Sequence, residues 1–150
     1  MAKVLEGPGM GLMKKWGITV PNYVVVTSVD ELMKLGQANE WLKKSKLVVK
    51  AHEALGSRFK LGLVKVDLDL KGAEAATKEM IGRQVGSITV SQVIVSEMIP
   101  HKEEYYCAVK STREGTDILV ANCGGIEVES NWDRVKRLAL EIGQQSSPDA

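Results

Sequence analysis

The stretch KLVVKAHEALGSRFKLGLVKVDLDL, Lys46 to Leu70, decides how this chain folds. It opens on Leu47–Val49, an apolar run too short for a helix and β-branched enough for a buried strand. The run stops on Lys50. A polar loop, AHEALGSRFK, follows, with Gly56 in it. LGLVKVDLDL then sets Leu61, Leu63, Val64, Val66, Leu68 and Leu70 against Lys65, Asp67 and Asp69, the alternation of a half-exposed strand. Two strands joined by a charged loop, the first ending on a positive charge, raise the question of what that charge holds.

Working outward, ITVPNYVVVTS turns at Pro21 and Asn22 and continues as a strand, Tyr23 to Thr27. TSVDELMKLGQANEWL opens with Ser28 three residues before Glu31, the capping-box pattern, and Leu32, Leu35 and Leu42 share one helical face. Residues 8–16 read as a short helix stopped by Gly17. On the other side, GAEAATKEMIGRQV is rich in helix formers, and SQVIVSEMIP is a strand ended by Pro100. Residues 23–99 therefore read strand, helix, strand, strand, helix, strand. That is the split βαβ arrangement, an antiparallel sheet with helices on one face.

Beyond Pro100 the pattern changes. YYCAVKST and DILVAN read as strands joined by REGT, a hairpin with Gly115 in the turn. NCGGIEVES reads as a loop. NWDRVKRLALEIG reads as a helix capped by Asn131, with Val135, Leu138, Ala139 and Ile142 on one face. QQSSPDA is a polar tail. A two-stranded ribbon with one helix is a poor domain by itself, so the second unit is expected to be completed by sequence outside this chain or to lean on the first.

Composition narrows the function classes. The chain has 150 residues, 44% hydrophobic and 26% charged, with a net charge of +1. That suits a folded chain needing no disulfide or metal staple. No Lys/Arg run carries interleaved aromatics, which argues against nucleic acid. WLKKSK straddles a helix end, where lysines meet the dipole favourably. Cys107 and Cys123 form neither a zinc pattern nor a disulfide framework and are expected to be small buried hydrophobes. Neither a signal-peptide apolar core nor a membrane-spanning apolar run is visible, so a cytoplasmic location away from membranes is expected.

Four places could carry chemistry. Lys50, presented rigidly by a strand, could hold a phosphate, or simply emerge into solvent. LGSRFKLG could cover phosphates, with Gly56 allowing close backbone approach and Arg58 and Lys60 adding charge, or could be a plain connection. VSEMIPHKEEYY is a strand that breaks at a proline. Its backbone could read a base edge and a carboxylate beyond it could accept from ribose hydroxyls, or it could be a linker with solvated glutamates. CGGIEVE offers Glu127 and Glu129 on one face if extended, a pair that could meet Mg²⁺ but lacks a third ligand. His52 and His101 have no nucleophile or base partner and read as structural.

The order of LMKKWGITVPNYVVVTSVDEL, LVVKAH…KLGLV, IPHKEEYY, STREG and CGGIEVESNWDRVK resembles the ATP-grasp part of the ATP-citrate lyase family, and more distantly the β subunit of succinate–CoA ligase. The likeness runs from about residue 10 onward. CGGIEVESNWDRVK is very similar to the citrate lyase branch in which the ATP-grasp subunit is a separate polypeptide. The resemblance implies an α/β (α+β) ATP-grasp fold with a βαββαβ lid. Residues 20–99 would be that lid, and 100–150 the incomplete start of a second α/β subdomain. Residues 1–19 would be a helix and turn packing with that second subdomain.

It also implies a function. ATP would lie between the two subdomains. Lys50 matches the lysine on the nucleotide phosphates, and Arg58 the arginine of the phosphate loop. The backbone at Glu97 and Ile99 matches the adenine-reading linker, and Glu104 the ribose-binding glutamate. The full enzyme would convert citrate, CoA and ATP to acetyl-CoA, oxaloacetate, ADP and phosphate, with a second lyase subunit carrying the phosphorylated histidine. The Mg²⁺ ligands and the citrate and CoA regions are expected outside this chain, making it an N-terminal fragment inactive alone and without catalytic residues of its own. Four positions depart from the family. Phe59 stands where it usually has glycine, Ala51–His52 where it often has Pro-Asp, and Ser96 where an acid usually precedes the linker, unless the register shifts by one and Glu97 takes that place. A succinate–CoA or citrate–CoA ligase β-type subunit is the alternative within the fold. A scaffold that binds no nucleotide is the alternative of another class, and Phe59 is the feature that keeps it open.

Overall fold

The computed structural model describes residues 4–125 and 127–144. The chain divides into two units, Met1–Ile99 and Pro100–Ala150.

The first unit is built on a four-stranded antiparallel sheet. Its strands are β1 (Tyr23–Val26), β2 (Leu47–Ala51), β3 (Val64–Leu68) and, after a small ribbon, β6 (Val93–Glu97). Their order is β1-β6-β2-β3, so β6, last in sequence, lies at the centre. The ribbon is β4 (Gln84–Val85) and β5 (Ile88–Thr89), turning at Gly86 with φ 60°. The helices are α1 (Glu6–Lys15), α2 (Val29–Ala38), α3 (Glu40–Lys44) and α4 (Leu70–Met80). The four strands of the main sheet come in the expected places over 23–99, but the first expected helix is divided into α2 and α3, and the second ends at Met80, so that Gln84–Val85, expected as its end, is a strand of the ribbon.

Local chemistry sets these elements. Ser28 Oγ accepts from the Glu31 amide at 3.2 Å, and the Glu31 carboxylate accepts from the Thr27 amide at 2.8 Å and from its hydroxyl at 3.0 Å. Ser28 thus caps α2 as expected, while Glu31 reaches back to Thr27, one residue before the cap, rather than to the Ser28 amide. Asp69 caps α4 by accepting from the Gly72 amide at 2.7 Å. The single helix expected over Leu32–Leu42 breaks at Asn39, whose side chain donates back to the Leu35 carbonyl at 2.9 Å. Leu32 and Leu42 are still fully buried, one on each piece.

The core lies between the sheet and α2, α3 and α4. Val26, Leu47, Val49, Ala51, Val93 and Val95 meet Leu32, Leu42, Ala73, Ala76 and Met80 there. On β2 burial alternates, so Val48 and Lys50 point to the opposite face. That face is not left bare of helix, because α1 docks on it through Gly7. A Cβ at Gly7 would lie 3.0 Å from Val25 Cγ2 and 3.1 Å from His52 Nε2. Residues 1–19 were expected to pack with the second subdomain; α1 makes these contacts within the first unit.

The simple alternation expected along β3 is broken by a bulge. Leu47 pairs with Leu68 but Val49 with Lys65, so β3 holds one extra residue, and Asp67 takes a left-handed φ of 57°. The extra residue changes which side chains face the core. Lys65 shares the Val49 face and reaches Glu79 of α4 at 3.2 Å, while Val66 is exposed.

The second unit corrects the sequence reading. Strands β7 (Tyr106–Ser111) and β8 (Gly115–Ala121) form the expected hairpin. The segment expected as a loop contains a short helix, α5 (Glu127–Ser130), and the segment expected as a helix is a 3₁₀ turn, Trp132–Arg134, followed by strand β9 (Lys136–Glu141). β9 pairs with β8 from Gly115↔Glu141 to Val120↔Lys136. The apolar spacing of Leu138 and Leu140 also suits a strand, and the open edge of β8 settles the choice. Cys123 is buried as expected, but Cys107 is exposed on β7. Among the described residues no helix is long and apolar enough to cross a membrane. The tail beyond residue 144 lies outside the described residues.

Candidate functional site

The charge that ends β2 meets a partner absent from the sequence reading. Lys50 Nζ lies 2.6 Å from Glu6 Oε1, and Arg58 Nη2 lies 2.9 Å from Glu6 Oε2. One carboxylate at the first turn of α1 therefore holds both cations, one on each oxygen. All three side chains are about three-quarters buried, with 25–28% of their surface exposed. Burial alone pushes the Glu6 carboxyl up. The hydrogen bonds and charges of Lys50 and Arg58 together outweigh it and hold the group below its ordinary value of 4.5.

Arg58 is anchored independently. Its Nη1 donates to the Ala51 carbonyl at 2.9 Å, which ties the loop back to the end of β2. Lys50 is fixed by its strand, opposite Ile94 of β6 and Val64 of β3. Ser57, just before Arg58, takes a left-handed φ of 52°, an uncommon backbone state for a residue with a Cβ. Phe59 needs no such conformation, and its exposed side chain does not line the cavity beside it. That cavity, about 500 Å³, is bounded by Val4, Glu6, Lys50, His52, Glu53 and Arg58 among others.

Two further groups secure the wall. His52 is buried and its Nε2 accepts from the Gly7 amide at 2.9 Å. The proton of the neutral ring is then on Nδ1, which is buried with no partner. Glu53 turns away, accepting from the Ser91 amide and hydroxyl at 2.7 Å each. Burial raises its carboxyl, but the Ser91 hydrogen bonds prevail and hold it below the usual value.

The remaining candidates fall elsewhere. Glu97 sits at the far end of β6, in register with Leu47, so it is three residues, or about 10 Å, along the sheet from Lys50. Its amide donates to the Asn22 carbonyl at 2.9 Å, and its carboxylate accepts from Ser45 at 2.7 Å and Asn22 at 3.0 Å. Ile99 ends the first unit and is exposed.

Glu104 belongs to the second unit. There it lines a cavity of about 500 Å³ with His101, Asn122, Cys123, Gly124 and Arg134. His101 Nε2 is 3.0 Å from Glu104 Oε1. The CGG motif explains its seat. A Cβ at Gly124 would fall 2.7 Å from the Glu104 Cβ, and one at Gly125 would collide with Glu104 Oε2. At Glu127 and Glu129 the backbone is helical rather than extended, so the condition for a paired metal site lapses, and their side chains lie outside the described residues. Among the described residues no group of three or more acidic, His or Cys side chains could hold a metal ion.

The profile of the ATP-grasp domain family matches residues 3–146. The chain belongs to the ATP-grasp family. Its ATP-grasp sequence is 39% identical to the ATP-citrate synthase alpha chain protein 1 of Arabidopsis thaliana over 132 residues, 84% of this chain and 31% of that one. It is 31% identical to human ATP-citrate synthase over 133 residues, 85% of this chain and 12% of that protein. The chain therefore spans about a third or less of the length of these relatives. The ATP citrate lyase of Methanothrix soehngenii, solved with citrate and coenzyme A, superposes with a TM-score of 0.67 at 34% identity, covering 80% of this chain and 28% of that one. A Korarchaeum acetyl-coenzyme A synthetase shares the fold at TM-score 0.72 and 20% identity.

Of the ATP-grasp candidates, Lys50 and Arg58 come together on one wall. Glu97 and Ile99 lie toward the other end of the same unit, and Glu104 lies in the second. Glu6 escaped the sequence reading. Its only signal was an acid placed where a helix begins, a position common for dipole reasons alone.

Proposed function

We propose that this chain is the nucleotide-binding portion of an ATP-dependent citrate–CoA enzyme, with Lys50 and Arg58 holding the phosphates of ATP. The observation that carries this reading is the pairing of those two cations on one carboxylate beside a cavity, in an ATP-grasp chain. Two donors held from separate elements at one anion's width fit a phosphate as well as they fit a carboxylate. The exposed position of Phe59 supports a phosphate loop that tolerates it, rather than a scaffold without nucleotide.

The base and sugar follow in the same reading. Glu97 and Ile99 would meet adenine, and since the Glu97 amide is committed to Asn22, its carbonyl is the group left to read the base. Glu104 would accept from the ribose hydroxyls. Mg²⁺ would screen the phosphates, with ligands beyond the residues described here. The complete enzyme would join citrate to CoA at the expense of ATP and cleave the product to acetyl-CoA and oxaloacetate. Its partner would be a second subunit bearing the phosphorylated histidine. The separate alpha chain of the plant relatives supports the lyase branch over a ligase that stops at the thioester.

Calorimetric titration with ATP, with and without Mg²⁺, tests the core of this reading. Lys50→Ala removes one charge-assisted contact, which is about 1.5–3 kcal/mol, or roughly 10- to 150-fold in affinity. Saturable binding that weakens by that factor is the expected result. Binding insensitive to Lys50, or none in the wild type, overturns the assignment.

A further inference from the structure

Resting on that reading of Lys50 and Arg58, we propose that Glu6 is a built-in occupant of the phosphate seat. An incoming polyphosphate displaces its carboxylate, and the cost of displacement sets the affinity of the site. Glu6 spends both oxygens on the two cations, at 2.6 Å and 2.9 Å, as a terminal phosphate would spend two of its own.

The cations do not need Glu6 to stay in place. Arg58 is held by the Ala51 carbonyl, and Lys50 by its position in β2 between two paired strands. The backbone of α1 does not need the carboxylate either. Gly7 donates to His52 Nε2 at 2.9 Å and accepts from the Tyr23 hydroxyl at 2.9 Å, so the helix start is pinned one residue away. The Glu6 side chain can therefore rotate out while both walls of the seat persist.

Charge gives the device its purpose. With Glu6 in, the two positive charges are half neutralised, and each cation donates one hydrogen bond to the carboxylate. A weakly charged anion gains little by replacing a carboxylate already seated there. A polyphosphate brings more charge and more acceptor oxygens, so it prevails. Glu53, the other acid on this wall, is turned to Ser91 and does not compete for the cations.

The test uses the whole chain and its Glu6→Gln variant, titrated with inorganic phosphate, pyrophosphate, tripolyphosphate and ATP. Emptying the seat costs the same whatever enters it. The variant is therefore expected to bind all of these about tenfold or more tightly, by a similar factor for each. An unchanged or weakened affinity overturns the proposal. So does a gain that climbs steeply with ligand charge, because that marks a carboxylate remaining beside the ligand.

ATP separates the two readings. If ATP binds both proteins equally, the nucleotide assignment stands and the displacement falls. If ATP binds neither but tripolyphosphate favours the variant, the displacement stands and the nucleotide assignment falls. Silence with every ligand sinks both. Should the glutamine variant not fold, Glu6→Asp keeps the charge and shortens the reach, and it too is expected to bind tripolyphosphate more tightly than wild type.

Discussion

At the scale of the residue, Glu6 and Gly7 do different work on neighbouring positions. Glu6 is a partly buried carboxylate held below its ordinary pKa, so its contribution to stability is fully present above the unfolded value near 4.5 and fades as pH falls toward the folded value. Unfolding of wild type and Glu6→Gln, followed from pH 7 to pH 3, is expected to show the wild type ahead at neutral pH. The gap should close in acid. A gap independent of pH would mean that the ion pair contributes nothing. Gly7→Ala places a methyl within about 3.0 Å of Val25 Cγ2. Overpacking of that kind costs about 1–3 kcal/mol, and denaturant titration checks it; a neutral effect would show that α1 is not seated there. Lys50 was legible in the sequence because a lysine at the end of an apolar strand interrupts a pattern. Glu6 was not, because 44 residues separate it from Lys50 and only folding brings them to 2.6 Å.

At the scale of the element, β9 is the instructive failure. Val135, Leu138, Ala139 and Ile142 fit a helical face, while Leu138 and Leu140 fit a strand. Local spacing does not rank the two. Pairing with β8 does, adding a continuous ladder that an isolated helix cannot match. Gly115 reports the same contact. It was read as a turn glycine, yet a Cβ there would run into the Leu140 carbonyl of β9. Gly115→Ala is accordingly expected to strip β9 amides of hydrogen-exchange protection while the Ser28-capped helix α2 keeps its own. Retained protection in β9 would refute that pairing. Elsewhere the elements were legible from caps and breakers. Ser28, Glu31 and Pro100 carried their signals in neighbouring residues, and the structure uses Ser28 as the cap, with Glu31 bracing it through Thr27.

At the scale of the molecule, one core supports the first unit, and it lies between the sheet and α2, α3 and α4. Leu42→Ala empties a fully buried site on α3 and is expected to cost about 2–5 kcal/mol. Urea unfolding monitored by circular dichroism checks this, and a change below 1 kcal/mol would place Leu42 outside the core. The sequence by itself determined the four main strands of residues 23–99 and the helical stretches between them, the family, and the candidacy of Lys50 and Arg58. It could do so because periodicity, caps and ordered motifs are local properties of a chain. Tertiary structure alone decided the β3 bulge, the strand state of β9, the seat of α1 and the carboxylate between the two cations. Each of these depends on groups distant in sequence competing for the same hydrogen bonds or the same space, and that competition is resolved only when the sheet assembles.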